Sequence, residues 1–198
     1  MKYYLVRHGD KIKNAGDPGL SIVGKKQAQL TAKYFVNKDI SAIVSSPFAR
    51  AKETAESISK KINVAYTIDD RLKERLNWGD DPNLSFEDFL LEWEKTEKNR
   101  NHQPRIGLSP VQAGKRFLEV IKEFEDSKRY KNIVIVSHGG IIIDLLRNLF
   151  GDEYLVFKKS GFVDGGIFEC SITTLSIENG KYELGEFAST KHIAKSIK

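Results

Sequence analysis

The sequence has little cysteine: Cys170 is the single one in 198 residues. One thiol excludes a disulfide within the chain and a metal site built from several cysteines. A count this low is typical of a reducing compartment, so we expect a cytoplasmic location. No apolar stretch has the roughly 18 residues that a membrane-spanning helix needs, and the apolar run after Met1 is too short for a signal peptide. We therefore expect no membrane partner.

Positive charge is in excess but dispersed. The chain has 32 Lys and Arg against 27 Asp and Glu, a formal net charge of +5. This balance favours anionic partners, among them nucleic acid, anionic lipid and phosphorylated metabolites. Basic residues alternate with acidic ones, as in Lys52-Glu53, and the sequence has no basic run interleaved with aromatic residues. We therefore expect no nucleic-acid partner and a surface of mixed, solvated charges.

The chain also lacks internal repeats, low-complexity segments and linkers, so we expect residues 1–198 to form a single domain. Short β-branched runs predict strands at residues 3–6, 42–44, 64–68 and 133–136. Helical patterns between and after them cover residues 22–36, 48–62, 111–124 and 141–150. This alternation predicts a three-layer α/β/α fold with a mostly parallel sheet. Alternating runs around Asn179-Gly180 predict an antiparallel C-terminal hairpin at one edge of that sheet.

Residues 78–108 interrupt the alternation with acid-rich helical turns. We interpret them as a helical insertion that covers a site. A surface helix that packs its apolar side chains inward is equally compatible with the pattern. The two tryptophans, Trp78 and Trp93, are interpreted as core or cap residues rather than as stacking platforms.

Polar side chains follow each of the four predicted strands. His8 follows the first and His138 the last, Arg50 lies in the first turns of the helix after the second, and residues 69–75 follow the third with acids and bases. The carboxyl ends of parallel strands share one edge of the sheet, where ligands bind. Each residue alone is more typical of a structural role. Together they predict an anion site with acid–base capacity.

Two other functions are compatible with these residues. His8, Asp10 and His138 are possible ligands of a metal hydrolase, but neighbouring Arg7 and Arg50 would repel a cation, so we expect no metal. A non-catalytic module that binds phosphorylated ligands is the second alternative. Pure binding needs only the arginines, so two histidines and a candidate acid favour catalysis.

Four segments, in order and spacing, resemble motifs of the histidine phosphatase superfamily, the phosphoglycerate mutase-like enzymes. They are Arg-His-Gly at residues 7–9, the turn and helix at residues 18–28, Ser-Ser-Pro and the helix after it at residues 45–56, and Val-Ser-His-Gly-Gly at residues 136–140. The tripeptide alone is weak evidence, whereas the ordered set is specific. The resemblance implies the same α/β fold and phosphoryl transfer without a metal or another cofactor.

The resemblance also implies the roles of individual residues. His8 attacks phosphorus and becomes a phosphohistidine, which water then hydrolyses. Arg7, Arg50 and His138 surround the phosphoryl oxygens and stabilise their charge. His8 must be neutral, and we expect a hydrogen bond from one ring nitrogen to backbone near Gly9 to set its tautomer. Further substrate-binding residues are expected to be Gly9, Asp10, Ser21 and Gly139.

A proton must reach the leaving oxygen, and Glu74 is the favoured donor. It follows Arg71-Leu72 in an Arg-Leu-x-Glu arrangement that resembles the family's placement of this acid. Asp10, directly after the histidine motif, is the rival donor.

The expected substrate is a small phosphate monoester. The sequence departs from the family pattern at Asp10-Lys11 and at residues 107–110, where substrate contacts are expected. The chain is also shorter than the mutases resembling it, so hydrolysis is favoured over mutase action. A phosphoglycerate mutase is the alternative, and a phosphohistidine-protein phosphatase is a more distant one.

Overall fold

A six-stranded sheet runs through the protein in the computed structural model, which describes residues 1–157, 162–163 and 166–194. The strands are β1 (Lys2–Arg7), β2 (Ala42–Ser45), β3 (Tyr66–Ile68), β4 (Asn132–Ser137), β5 (Phe162–Val163), β6 (Gly166–Ile167), β7 (Ile172–Glu178) and β8 (Lys181–Leu184). The large sheet has the order β3-β2-β4-β1-β7-β8, and β5 pairs separately with β6. Strands β3, β2, β4 and β1 are parallel, whereas β7 and β8 form an antiparallel hairpin at the edge beyond β1.

Helices cover both faces of this sheet. They are α1 (Ile22–Tyr34), α2 (Ala49–Ile62), α3 (Phe86–Lys98), α4 (Pro110–Ser127), α5 (Gly139–Phe150) and α6 (Asp152–Phe157), with a 3-10 turn at Asp70–Leu72. The predicted three-layer α/β/α fold, its mostly parallel sheet and its C-terminal hairpin are confirmed. Among the described residues, no helix combines the length and apolarity needed to cross a membrane.

The two layers of helices explain why the central strands β1 and β4 are apolar at four consecutive positions between their polar ends. Along β1, Tyr3 and Leu5 belong to the core cluster that contains α4 and α5. Tyr4 and Val6 belong to the cluster that contains α1 and α2. Successive side chains of a strand point to opposite faces, so a strand covered on both sides buries all of them. Each such side chain contributes about 1.5–3 kcal/mol of transfer free energy.

Most observed element boundaries lie within a few residues of the predicted ones, and two of the differences have clear local reasons. Strand β3 begins at Tyr66 because Asn63 ends α2 in the left-handed conformation, with φ of 55°, and the next two residues form the connection. Helix α4 begins at Pro110 because the Ser109 side chain accepts from the Gln112 backbone while the Gln112 side chain accepts from the Ser109 backbone. This reciprocal capping box is a helix-start signal in the sequence.

Helix α3 lies within the predicted insertion at residues 78–108 and is poorly buried. Of its 13 residues only Thr96 is buried, while Phe86 and Leu90 are 44% and 48% exposed. The helix therefore does not pack its apolar side chains into the core as a simple surface helix does. Its status as an insertion into a single domain stays a prediction.

Candidate active site

The carboxyl ends of β1 and β4 bring the two histidines together. The strands are neighbours, with Arg7 in register with Ser137, so the residues that follow them emerge side by side. The rings of His8 and His138 have their centroids 5.1 Å apart. Both histidines are buried, at 5% and 1% exposure. The sheet therefore places two imidazoles, distant in sequence, at one point of its edge.

His8 is held as a neutral ring with one defined tautomer. Its Nδ1 lies 2.7 Å from the Gly9 carbonyl oxygen. A carbonyl only accepts, so Nδ1 carries the hydrogen and Nε2 holds the lone pair. Arg50 Nε donates to this Nε2 at 3.2 Å. Burial, followed by the positive charges of Arg50 and Arg7, lowers the pKa of His8 well below its usual value of 6.5. The ring is neutral at physiological pH.

The two arginines approach the histidines from different elements. Arg50 lies at the start of α2, where its Nη2 donates to Asn77 Oδ1 at 3.2 Å. Its Nη1 is 3.8 Å from Asp17 Oδ1, too far for a hydrogen bond. Arg7 pairs through Nη2 with Glu169 Oε1 at 2.7 Å and donates through Nη1 to the Ile167 carbonyl.

Three polar atoms around the histidines are buried without a hydrogen-bond partner among the described residues. They are Arg7 Nε, Arg50 Nη1 and His138 Nδ1. Buried polar groups in folded proteins are almost always hydrogen-bonded, so an unpaired group needs an explanation. Two of the three are guanidinium donors, which are suited to phosphate oxygens. This arrangement is typical of a site that binds an anion.

His138 is also neutral and is oriented by a neighbouring serine. Its Nε2 lies 2.7 Å from Ser46 Oγ. Burial, followed by the nearby Arg50 and His8, lowers its pKa well below the usual 6.5. The residue directly precedes α5, so the backbone N–H groups of that helix begin beside the imidazole.

Glu74 occupies the N-terminus of α5. Its Oε1 accepts from the backbone N–H of Ile141 at 2.8 Å and of Arg75 at 2.9 Å, and its Oε2 accepts from Gly140 at 2.9 Å. Glycine at 140 permits this approach, because a Cβ there would lie 2.7 Å from both Glu74 Oε1 and the Trp93 ring. Both oxygens act as acceptors in this arrangement. The three N–H groups occupy three of the roughly four acceptor positions of the carboxylate, which leaves one on Oε2 for a proton. A role as proton donor stays a prediction.

Asp10 and Ser21 form a unit beside the histidines. The Ser21 hydroxyl donates to Asp10 Oδ2 and accepts from Gly24 N at 3.0 Å, which caps α1. Gln27 Oε1 accepts from the Asp10 backbone at 2.7 Å. Of the four predicted substrate-binding residues, Asp10 and Gly139 line the pocket described next, whereas Gly9 and Ser21 are not among its lining residues.

One pocket of about 740 Å³ contains these groups. Its polar floor is formed by Arg7, His8, Arg50, Glu74 and His138. A second wall is apolar and comes from residues 78–108, with Trp78, Phe86, Phe89, Leu90 and Trp93. The interpretation of Trp78 and Trp93 as core or cap residues was therefore incomplete, because both tryptophans border the pocket. Residues of the predicted insertion therefore line the same pocket as the polar floor.

Comparison with known proteins agrees with this architecture. The family model of the histidine phosphatase superfamily, branch 1, matches residues 3–190. The chain belongs to the histidine phosphatase superfamily. A protein of Yersinia pestis named "Probable phosphoglycerate mutase GpmB" is 31% identical over 163 residues, covering 76% of this chain and 75% of that protein.

Solved structures of two phosphatases and of the protein YhfR share the fold. A mycobacterial glucosyl-3-phosphoglycerate phosphatase superposes with a TM-score of 0.77 at 22% identity, covering 96% of this chain and 99% of that one. A phosphoserine phosphatase from Entamoeba histolytica gives 0.74 at 24% identity, covering 96% and 98%. YhfR of Bacillus stearothermophilus gives 0.75 at 22% identity, covering 96% and 98%. At these identities the likeness concerns the fold alone.

The metal-hydrolase alternative finds little support in the geometry of this histidine phosphatase. Within residues 1–157, 162–163 and 166–194, no three His, Cys, Asp or Glu side chains are grouped as metal ligands. His8 Nδ1 bonds to backbone and His138 Nε2 to Ser46. His8, Asp10 and His138 are thus near one another without forming a ligand set.

Three residues that orient the site were not predicted. Ser46 contacts His138, Asn77 contacts Arg50 and Glu169 contacts Arg7. Ser46 belongs to the Ser-Ser-Pro motif, so its position was visible in the sequence but its partner was not. Asn77 and Glu169 carry no sequence signal, because their partners lie 27 and 162 residues away and only the fold joins them.

Proposed function

We propose that this protein is a phosphatase that hydrolyses small phosphate monoesters through a phosphohistidine intermediate on His8. The observation that carries the proposal is a neutral His8 whose Nε2 lone pair lies in a pocket where one buried nitrogen of each guanidinium, Arg7 Nε and Arg50 Nη1, has no hydrogen-bond partner among the described residues. Membership of the histidine phosphatase superfamily supports an enzyme, since its relatives named above are phosphatases and a probable mutase.

In the first step His8 Nε2 attacks phosphorus. The N–P bond forms as the bond from phosphorus to the ester oxygen breaks, and the departing alkoxide takes up a proton. Arg50 Nε donates to Nε2 in the free enzyme, so this N–H must turn to a phosphoryl oxygen when substrate binds. In the second step water attacks phosphorus, the N–P bond breaks, and inorganic phosphate leaves with His8 neutral again.

The positive charge of the site stabilises both steps. The phosphoryl group passes through a loose transition state in which positioning and electrostatics supply most of the catalysis. Arg7 and Arg50 are buried or half-buried, so their charges act with less screening than in water. With the Ser46 hydroxyl donating to Nε2, His138 has its hydrogen on Nδ1, the atom that lacks a partner. That N–H is then available to a phosphoryl oxygen.

Two carboxyl groups are candidates for the proton donor. Glu74 lies on the pocket floor but is engaged with the N-terminus of α5. Asp10 lines the same pocket and holds a single side-chain hydrogen bond, from Ser21. We retain Glu74 as the proposed donor and Asp10 as the rival.

Replacing His8 tests the proposal. We expect His8→Ala to reduce hydrolysis of p-nitrophenyl phosphate by at least about 10³-fold and to abolish an acid-labile, base-stable phosphoenzyme trapped with the same substrate. The surface variant His102→Ala is the matched control and should retain both. Wild-type turnover should also survive EDTA. Full activity in His8→Ala would overturn the intermediate, and loss of activity in EDTA would revive the metal alternative.

Phosphoglycerate mutase is the second candidate, favoured by the 31% identity to the Yersinia pestis protein. An assay of 2- and 3-phosphoglycerate interconversion separates the two. Interconversion faster than phosphate release would favour the mutase. Phosphate binding without either reaction would favour the non-catalytic module. We also retain a cytoplasmic location as a proposal, supported by the single buried Cys170.

A further inference from the structure

The apolar wall of the pocket is a continuous strip of aromatic rings. Ring centroids of Trp78 and Phe86 are 4.8 Å apart, those of Phe86 and Phe89 are 6.3 Å apart, and those of Phe89 and Trp93 are 6.1 Å apart. Leu90 lies on the same wall. These separations are typical of favourable aromatic pairs. We call these five side chains the aromatic strip.

The strip starts beside the phosphate floor. A Cβ built on Gly140, at the start of α5, would lie 2.7 Å from the Trp93 ring. The Arg75 guanidinium stacks on the Trp93 ring, with its Cζ 3.8 Å from the ring centroid. Arg75 itself is buried and pairs with Asp144 on α5 at 3.0 Å and with Glu97 on α3. These two ion pairs of Arg75 connect α3 to α5 beside the inner end of the strip.

The outer end of the strip is open. Phe86 and Leu90 are 44% and 48% exposed although they line a pocket. Apolar side chains that are half exposed inside a concave site are typical of ligand contacts, since burial of apolar surface drives binding there. A phosphate group and a two- or three-carbon alcohol would occupy the floor and leave these residues uncovered.

We propose that the aromatic strip is a subsite for the leaving group, and that the preferred substrates are phosphate monoesters whose alcohol carries an apolar ring. This inference rests on the proposed phosphatase function and names its substrate class. The phosphoryl group binds on the floor among Arg7, His8 and Arg50. The ester oxygen then points outward, and the organic part lies along the strip from Trp93 toward Phe86.

The pocket also has charged lining residues, and they define the competing substrate class. Lys11 and Lys13 line it, and they suit a carboxylated substrate such as a phosphoglycerate. Such a substrate would bind through its carboxylate to the lysines but would not contact the aromatic strip. Comparing ring-bearing with small esters therefore measures what the strip contributes.

The test uses two alkyl esters, 3-phenylpropyl phosphate and ethyl phosphate, which differ by a phenyl ring and one methylene group and hardly in leaving-group chemistry. For the wild-type protein we expect kcat/KM to be at least about tenfold higher for the phenyl ester. The double variant Phe86→Ala/Leu90→Ala should lower this ratio about tenfold. Leu91→Ala is the matched control, because Leu91 lies on the same helix, is 53% exposed and is outside the pocket lining, and it should keep the wild-type ratio.

A second measurement separates failure of the subsite from failure of the proposed function. Calorimetric binding of the non-hydrolysable 3-phenylpropylphosphonate and of ethylphosphonate needs no turnover. Tighter binding of the phenyl compound, lost in the double variant, supports the subsite even in an inactive protein. Equal kcat/KM values and equal affinities for both compounds would overturn the subsite while leaving the phosphatase intact. Absence of a phosphoenzyme with every ester would overturn the proposed function.

Discussion

The variant Glu74→Gln separates the role of this carboxylate as a helix cap from its proposed role as proton donor. In the wild-type protein the two oxygens accept three backbone N–H groups, of Arg75, Gly140 and Ile141. Glutamine has one acceptor oxygen, and its amide nitrogen is a donor. With that oxygen in the place of Oε1, two bonds survive and the Gly140 N–H faces an N–H₂ group.

The expected cost follows from these contacts. A hydrogen bond to a charged group contributes about 1.5–3 kcal/mol, and a negative charge at a helix N-terminus contributes about 0.3–1 kcal/mol. The charge of Glu74 also acts favourably on Arg75, Arg50 and Arg116. We expect unfolding free energy to fall by about 2–4 kcal/mol, which for this length lowers Tm by roughly 5–12 °C.

Two assays read the two roles. Denaturant or thermal unfolding measures the contribution of the cap to stability. The exposed Glu183→Gln on β8 is the control and should change stability by less than about 0.5 kcal/mol. Comparing turnover of ethyl phosphate and p-nitrophenyl phosphate tests the role as proton donor. Ethoxide is a poor leaving group that needs protonation, whereas p-nitrophenolate hardly does. If Glu74 is the proton donor, Glu74→Gln should slow turnover of ethyl phosphate at least about 10²-fold more than turnover of p-nitrophenyl phosphate. Equal slowing on both esters would assign the proton to Asp10 or another acid. A stability change no larger than that of the control would refute the capping argument.

Two further predictions concern groups around the histidines. Asn77→Ala removes the acceptor of Arg50 Nη2, so kcat/KM should fall about tenfold or more on all esters alike. Asn83→Ala is the exposed control. An unchanged kcat/KM in Asn77→Ala would show that Arg50 does not need this hydrogen bond for catalysis. The lowered pKa of His8 means that the unfolded chain binds a proton below pH 6.5 that the folded chain does not, so stability is lost as pH falls below that value. In unfolding measurements the variant His8→Asn should lack this loss, so that wild-type stability falls relative to the variant by about 1.4 kcal/mol per pH unit below pH 6. A constant difference between pH 7 and 5 would mean that His8 is protonated in the folded protein.

Local patterns in the sequence were sufficient for the fold. The run Asn132–Ser137 is apolar at four consecutive positions, which a strand tolerates only when both faces are covered. The turn at Asn179-Gly180 requires positive φ at both residues, and the structure has φ of 50° and 73° there. Such signals lie within a few residues of one another, so they can be interpreted without knowledge of distant contacts.

The polar floor of the site was predictable for a related reason. His8 and His138 each follow a strand directly, and Arg50 lies in the first turn of the helix after β2. Parallel strands end at one edge of their sheet. Once the strands are known to run parallel, it follows from geometry that these side chains lie at the same edge of the sheet. The ring separation of 5.1 Å reflects the direct pairing of β1 with β4.

Sequence by itself thus determined the layers, the hairpin and which residues reach the common edge, because periodicity and strand ends are local properties of a chain. Only the tertiary structure decided that Glu74 caps α5, that Asn77 and Glu169 orient the arginines, and that the aromatic residues of α3 line the pocket. Each of these depends on a contact between elements far apart in sequence, and the direction in which a helix such as α3 presents its apolar face is set by what it packs against.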